Sequence, residues 1–147
     1  MENENNKAVD SETKAYQALE KILDSIIKGA TINKVPSEDS NCVIFNISKV
    51  EPGVIIGKHG HTLDAIQYII NLIANKGINK EEQKLYIIDI DDYRKRREES
   101  LKKYAIEKAE LVKKNHNEIA LYSMNTIERR LVHLALQEDP DVTTFSE

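Results

Sequence analysis

The stretch Val54-Ile55-Ile56-Gly57-Lys58-His59-Gly60-His61-Thr62-Leu63 constrains this chain more than any other. Two glycines bracket the polar pair Lys58 and His59. Before them lies a short apolar run; after them Leu63, Ile66, Ile69, Ile70 and Ile73 recur at helical spacing. A loop whose end residues carry no side chain lets another backbone approach closely. The first N–H groups of a following helix have no intrahelical acceptor and favour an anion, and Lys58 adds a positive charge. These residue types suit a loop that grips a phosphate backbone. An isolated G-x-x-G is more often a plain turn, so its flanks carry the weight. An apolar strand pattern, Cys42 to Ile47, lies upstream, and another, Leu85 to Ile90, lies downstream.

The elements around this core can be read in order. Residues 1–11 show no apolar periodicity and read as a disordered terminus. Ser11 then caps a helix reaching about Lys28, with Tyr16, Leu19, Ile22, Leu23, Ile26 and Ile27 as its stripe and Gly29 as its stop. Ala30 to Val35 reads as a short strand, Pro36 to Asn41 as a turn, and Pro52 as the first turn of a short helix. A second helix spans about Thr62 to Asn75, and Lys80 to Gln83 form a polar turn before the last strand.

Strand, short helix, G-x-x-G, helix, strand resembles a KH domain, and Ile56-Gly57-Lys58-His59-Gly60 resembles that family's signature loop. The helix and strand placed before the core resemble its type II version. The resemblance implies an α+β fold over residues 12–90: a three-stranded mixed sheet with helices on one face. It also implies a role for Gly57, Lys58, His59 and Gly60, which would hold backbone nucleotides while bases lie in an adjacent groove.

Asp91 and Asp92 suit the N-terminus of a third long helix reaching about Lys114, with Leu101, Tyr104, Ala105, Lys108, Leu111 and Val112 on one side. No Gly/Ser/Pro linker precedes it, which predicts a stiff join. Glu118 to Tyr122 reads as a short strand. Asn125 or Thr126 caps a final helix to about Gln137, closed by Asp139-Pro140-Asp141. On that helix Arg129 and His133 are four apart and share a face, turned away from the stripe Ile127, Leu131, Leu134 and Ala135. Arg offers a planar fork for phosphate and His a further hydrogen-bonding tip; the plain reading is a solvated helix face.

Met124-Asn125-Thr126-Ile127-Glu128-Arg129-Arg130-Leu131-Val132-His133 is similar to the core of the Arg-xxx-His (R-three-H) domain, a small α+β binder of single-stranded nucleic acid. Here it would occupy residues 91–147. A KH domain followed by this domain resembles the bacterial Jag (SpoIIIJ-associated) family. Members of that family are RNA-binding factors linked to cell elongation, cell shape and membrane-protein biogenesis. The resemblance implies a cytoplasmic protein that binds single-stranded RNA through the loop and through Arg129 and His133. It implies as protein partner another KH protein or a membrane-insertion protein. The competing reading is an adaptor that uses the KH lobe as scaffold. Members often carry an extra small N-terminal domain, and their second domain usually continues past Phe145-Ser146-Glu147 into another strand.

Composition permits RNA binding without demanding it. The 21 basic and 25 acidic residues leave a net charge of −4, whereas nucleic-acid binders usually carry a basic balance. Distribution matters more. Arg94, Lys95, Arg96 and Arg97 form a basic run, of which Arg94, Arg96 and Arg97 are expected to face RNA; pairing with Glu98 and Glu99 on a solvated face is the plain alternative. The lone Cys42 excludes an intramolecular disulfide and falls in a strand pattern, which predicts a buried, inert thiol. No metal-ligand spacing, nucleophile–base pair or Walker loop is present, so neither catalysis nor a cofactor is expected. His61 and His116 have weaker claims to function. No signal peptide or apolar run of membrane-spanning length is seen.

Overall fold

A computed structural model describes residues 2–146, with side chains from Asp10 onward. The chain divides into two compact units, Met1–Tyr93 and Arg94–Glu147. The first is built from α1 (Glu2–Ile26), β1 (Thr31–Val35), β2 (Cys42–Ser48), α2 (Pro52–Ile56), a 3-10 turn (Lys58–Gly60), α3 (His61–Ala74) and β3 (Leu85–Ile90). The strands form one sheet in the order β1-β2-β3. β1 pairs antiparallel with β2, Thr31 opposite Ser48, and β2 pairs parallel with β3, Cys42 opposite Leu85. This is the mixed sheet expected of a type II KH domain.

Alternation fixes which side of the sheet is covered. Val43, Phe45 and Ile47 of β2 and Tyr86, Ile88 and Ile90 of β3 are buried, while their neighbours are half-buried or exposed. Onto the buried face pack Ala15, Leu19 and Leu23 of α1 and Leu63, Ile66, Ile70 and Ala74 of α3. Cys42 falls on the other side and is only half-buried, so the expectation of a fully buried thiol does not hold.

The first helix begins earlier than the sequence suggests. It is helical from Glu2, where a disordered terminus is expected, and no Gly or Pro interrupts residues 2–10. Ser11 is therefore not a cap but a core residue, 2% exposed. Its hydroxyl donates to the Ala74 carbonyl at 2.9 Å and bonds the Tyr86 hydroxyl at 2.7 Å. Burial pushes the Tyr86 phenol above its ordinary value, while the bond to Ser11 works the other way.

A second polar device closes the sheet. β3 is an edge strand, and its outward N–H and C=O groups would otherwise be a template for another strand. Three amides four residues apart along α3 cover them. Asn71 donates to the Tyr86 carbonyl at 2.7 Å and accepts from the Tyr86 N–H at 2.9 Å. Asn75 does the same for Lys84 at 2.8 and 3.1 Å, and Gln67 accepts from the Ile88 N–H at 3.0 Å. The helix thus imitates a fourth strand.

The second unit contains most of α4 (Tyr93–Asn115), then α5 (Thr126–Leu136). Its core is Leu101, Ala105, Ala109, Val132 and Leu136, joined by half-buried Tyr104, Leu121, Tyr122, Met124, Leu131 and Val142. No strand is found among its described residues. Glu118 to Tyr122, expected as a strand, carry no regular structure, and Leu121 and Tyr122 are used as packing. Asp91 and Asp92, expected to open the helix as caps, form a left-handed turn with φ of 49° and 54°.

Candidate nucleic-acid interface

The loop is set by what surrounds it. Pro52 occupies the first turn of α2, where its missing N–H costs nothing. That helix ends at Gly57, whose N–H donates to the Gly53 carbonyl at 3.0 Å. Gly57 has φ 68° and Gly60 φ 83°, both in the region that favours glycine. Space forbids a side chain at either place. A Cβ on Gly57 would collide with the Thr62 hydroxyl and Cβ; one on Gly60 would lie 2.8 Å from the Tyr93 ring. Neither contact is readable from the sequence, because each exists only once the loop is folded.

Between the glycines Lys58 is exposed and His59 half-buried in a left-handed conformation, φ 54°. The His59 ring meets that of His61 edge-on at 6.3 Å. Gly60 is the N-cap of α3 and has no side chain to bond the helix's first N–H groups. The His61 N–H is taken by the Lys58 carbonyl and Gly60 is itself buried, so the loop presents the exposed Lys58 at the positive end of α3.

The second constellation lies in the other unit. Asn125 caps α5, as expected, its side chain accepting from the Glu128 N–H at 2.9 Å. The buried stripe differs from the expected one. Glu128, Val132 and Leu136 face the core, whereas Ile127 is 73% and Leu134 52% exposed. Arg129 is exposed and His133 half-buried. Both line an open depression of about 500 Å³ with Thr126, Arg130, Leu134, Gln137, Thr144 and Ser146. Of these partners the sequence offers no hint of the tail residues, which return to the helix from more than ten positions away.

The basic run divides. Arg94 is half-buried and Arg96 exposed near the start of α4, and neither lines the depression. Arg97 is held inside the unit. Its Nε donates to Glu128 Oε1 at 2.9 Å, and the side chains are 17% and 9% exposed. Its guanidinium lies 5.6 Å from the centre of the Tyr122 ring, which stacks on Tyr104 at 4.6 Å. An RNA-facing Arg97 does not fit this placement; the charge compensates a buried carboxylate. His61 and His116 are both exposed. Among the described residues no group of three His, Cys, Asp or Glu could hold a metal ion, and no helix is long and apolar enough to cross a membrane.

Residues 16–90, which contain the sheet and the loop, match the family described as KhpA/KhpB, KH domain. The chain belongs to this family. Residues 99–147 match the R-three-H domain, the Arg-xxx-His module read from the sequence. Among relatives, the RNA-binding protein KhpB of Clostridium symbiosum is 35% identical over 137 residues, covering 91% of this chain and 60% of the relative. That of Lactiplantibacillus plantarum is 32% identical, covering 90% and 41%. That of Bacillus subtilis is 31% identical over 96 residues, covering 65% and 45%. This KhpA/KhpB-family chain thus spans about half the length of these relatives. They are named as RNA-binding proteins, not as enzymes.

Proposed function

We propose that this chain binds single-stranded RNA through the Gly57–Gly60 loop and, in its second unit, through the depression around Arg129. The observation that carries the reading is the loop itself. Two left-handed glycines, packed against Thr62 and Tyr93, let the chain turn tightly, and the exposed Lys58 stands between them just before α3, whose N-cap has no side-chain hydrogen bond. Such a surface takes a phosphate backbone at close range, and unpaired bases can then be read beside it. The names of the relatives support RNA as the ligand. We infer from the family resemblance a role in the cytoplasm, in post-transcriptional control of cell elongation or envelope biogenesis.

The test is the double change Lys58→Asp, His59→Asp, which sets two negative charges against the phosphates while leaving the glycines in place. Affinity for a single-stranded oligonucleotide should fall at least tenfold, with circular dichroism and the melting temperature unchanged. Undiminished binding by the folded variant would remove the loop from the mechanism. Should the unaltered chain bind no RNA at all, the adaptor reading takes its place; in its favour, α3 exposes Tyr68, Ile69, Leu72 and Ile73 on its outer side.

A further inference from the structure

His133 is the one depression-lining residue with both polar atoms already engaged. Its Nδ1 shares a hydrogen bond with Thr144 Oγ1 at 2.6 Å, and its Nε2 one with Ser146 Oγ at 3.1 Å. An imidazole has one in-plane position on each nitrogen, so an incoming phosphate could reach His133 only by displacing a hydroxyl. Arg129 and Arg130 are in the opposite condition. Both are exposed, and among the described residues neither makes an ion pair or a side-chain hydrogen bond. Five donors on each guanidinium therefore point to ligand or water.

The tail needs the histidine as much as the histidine is filled by the tail. Residues 142–146 have no regular structure, and Val142 is the member of this segment that packs against the core. Beyond it, the two bonds to His133 are the only hydrogen bonds of Thr144 and Ser146 among the described residues. Each hydroxyl retains a further donor or acceptor position that can turn toward the depression.

We propose that His133 is a positioning residue that latches Thr144 and Ser146 onto α5. The groups that meet the nucleic acid in this unit are then Arg129, Arg130 and the two tail hydroxyls. The proposal rests on the RNA-binding reading of the depression and assigns its members different parts: arginines for contact, histidine for shape.

The experiment is a mutant cycle on the whole chain, read by the affinity for a labelled oligouridine of about a dozen nucleotides and by amide exchange of residues 142–146. His133→Ala should weaken binding roughly fivefold, the size of one lost net hydrogen bond, and should speed exchange along the tail. Thr144→Val with Ser146→Ala should also speed that exchange, and in this background His133→Ala should cost nothing further, because residues acting through one another are not additive. His133→Gln, whose amide can still bond a hydroxyl, should recover part of the loss. The latch is overturned if His133→Ala keeps its full effect without the hydroxyls, or leaves tail exchange unchanged. Arg129→Ala separates the two levels. Unchanged affinity there discards the RNA reading of this unit, whereas a loss there beside an independent His133 effect discards only the latch. If His133→Ala proves unstable, the cycle is run with His133→Phe, which keeps the ring's bulk without its hydrogen bonds, and the hydroxyl-free variant alone must still speed tail exchange or the latch is overturned.

Discussion

The two units present their candidate surfaces by opposite means. In the first, the surface is shaped by backbone: a tight turn at two glycines that lifts a single exposed lysine at the start of α3, standing on an apolar core that runs under the sheet. In the second it is side chain: two arginines on a helix and a tail held in place by a histidine, over a core of five buried apolar side chains. A backbone surface needs a rigid base, because its geometry is the chain's own. A side-chain surface tolerates a smaller base but needs devices that fix each group. The second unit accordingly carries its ion pair inside, at Arg97 and Glu128, whereas the first satisfies its buried polar groups with neutral amides and hydroxyls.

The largest effect expected from that contrast comes from Arg97→Ala. Removing the guanidinium leaves the Glu128 carboxylate buried without its partner, at a cost of about 3–5 kcal/mol. For a unit of this size that is a large share of the total stability. Residue-resolved amide exchange should show α5 opening while β2 and β3 stay protected. Replacing both partners, Arg97→Met with Glu128→Leu, should return most of the loss. Retention of α5 protection within about 1 kcal/mol in Arg97→Ala would show that the pair is not what holds this unit together.

Next in size is Asn71→Ala in the first unit. It uncovers the N–H and C=O of Tyr86 at the sheet edge, a cost of about 1–3 kcal/mol. The urea midpoint should drop with the slope unchanged. The exposed edge should also promote self-association, visible by light scattering. A variant as stable and as monodisperse as the parent would mean that water replaces the amide without penalty and that α3 is no stand-in for a strand.

How much of this was legible beforehand follows the same division. The sheet, the loop and the helix after it were readable because period-two and period-3.6 patterns are local and the two glycines punctuate them. The family match over residues 16–90 agrees with that reading. Gln67, Asn71 and Asn75 also had a signal, a polar row at spacing four beside the apolar one, that an eye set on apolar residues passes over. In the second unit the patterns mislead. Ile127 and Leu134 look like core and Glu128 like surface, yet Arg97, 31 positions away, reverses the order by compensating the carboxylate. No local rule anticipates a contact at that distance. The tail is the extreme case, since nothing in Thr144 or Ser146 announces that His133 will bind both.

The smallest expected effects are in the response to pH, and they separate the units by which extreme weakens them. Burial raises the Tyr86 phenol above its ordinary value of 10.0, so the folded first unit prefers the neutral form. Its contribution is complete below about pH 10 and is lost as pH climbs through the raised value. In the second unit the bond from Lys113 Nζ, 3.0 Å away, and the Asp141 N–H hold the Asp139 carboxyl below its ordinary 3.8. That contribution is present above about pH 4 and fades as pH falls through the lowered value. Acid should therefore loosen the chain around Asp139 before it affects β3. Exchange measured down to about pH 3 should show the difference, and Asp139→Asn should flatten the acid limb of the second unit while leaving the first unchanged. Equal acid sensitivity in both units, or an Asp139→Asn variant with the parent's profile, would show that this half-buried pair is screened too well to matter. The contrast between the units would then rest on the buried Arg97–Glu128 pair alone.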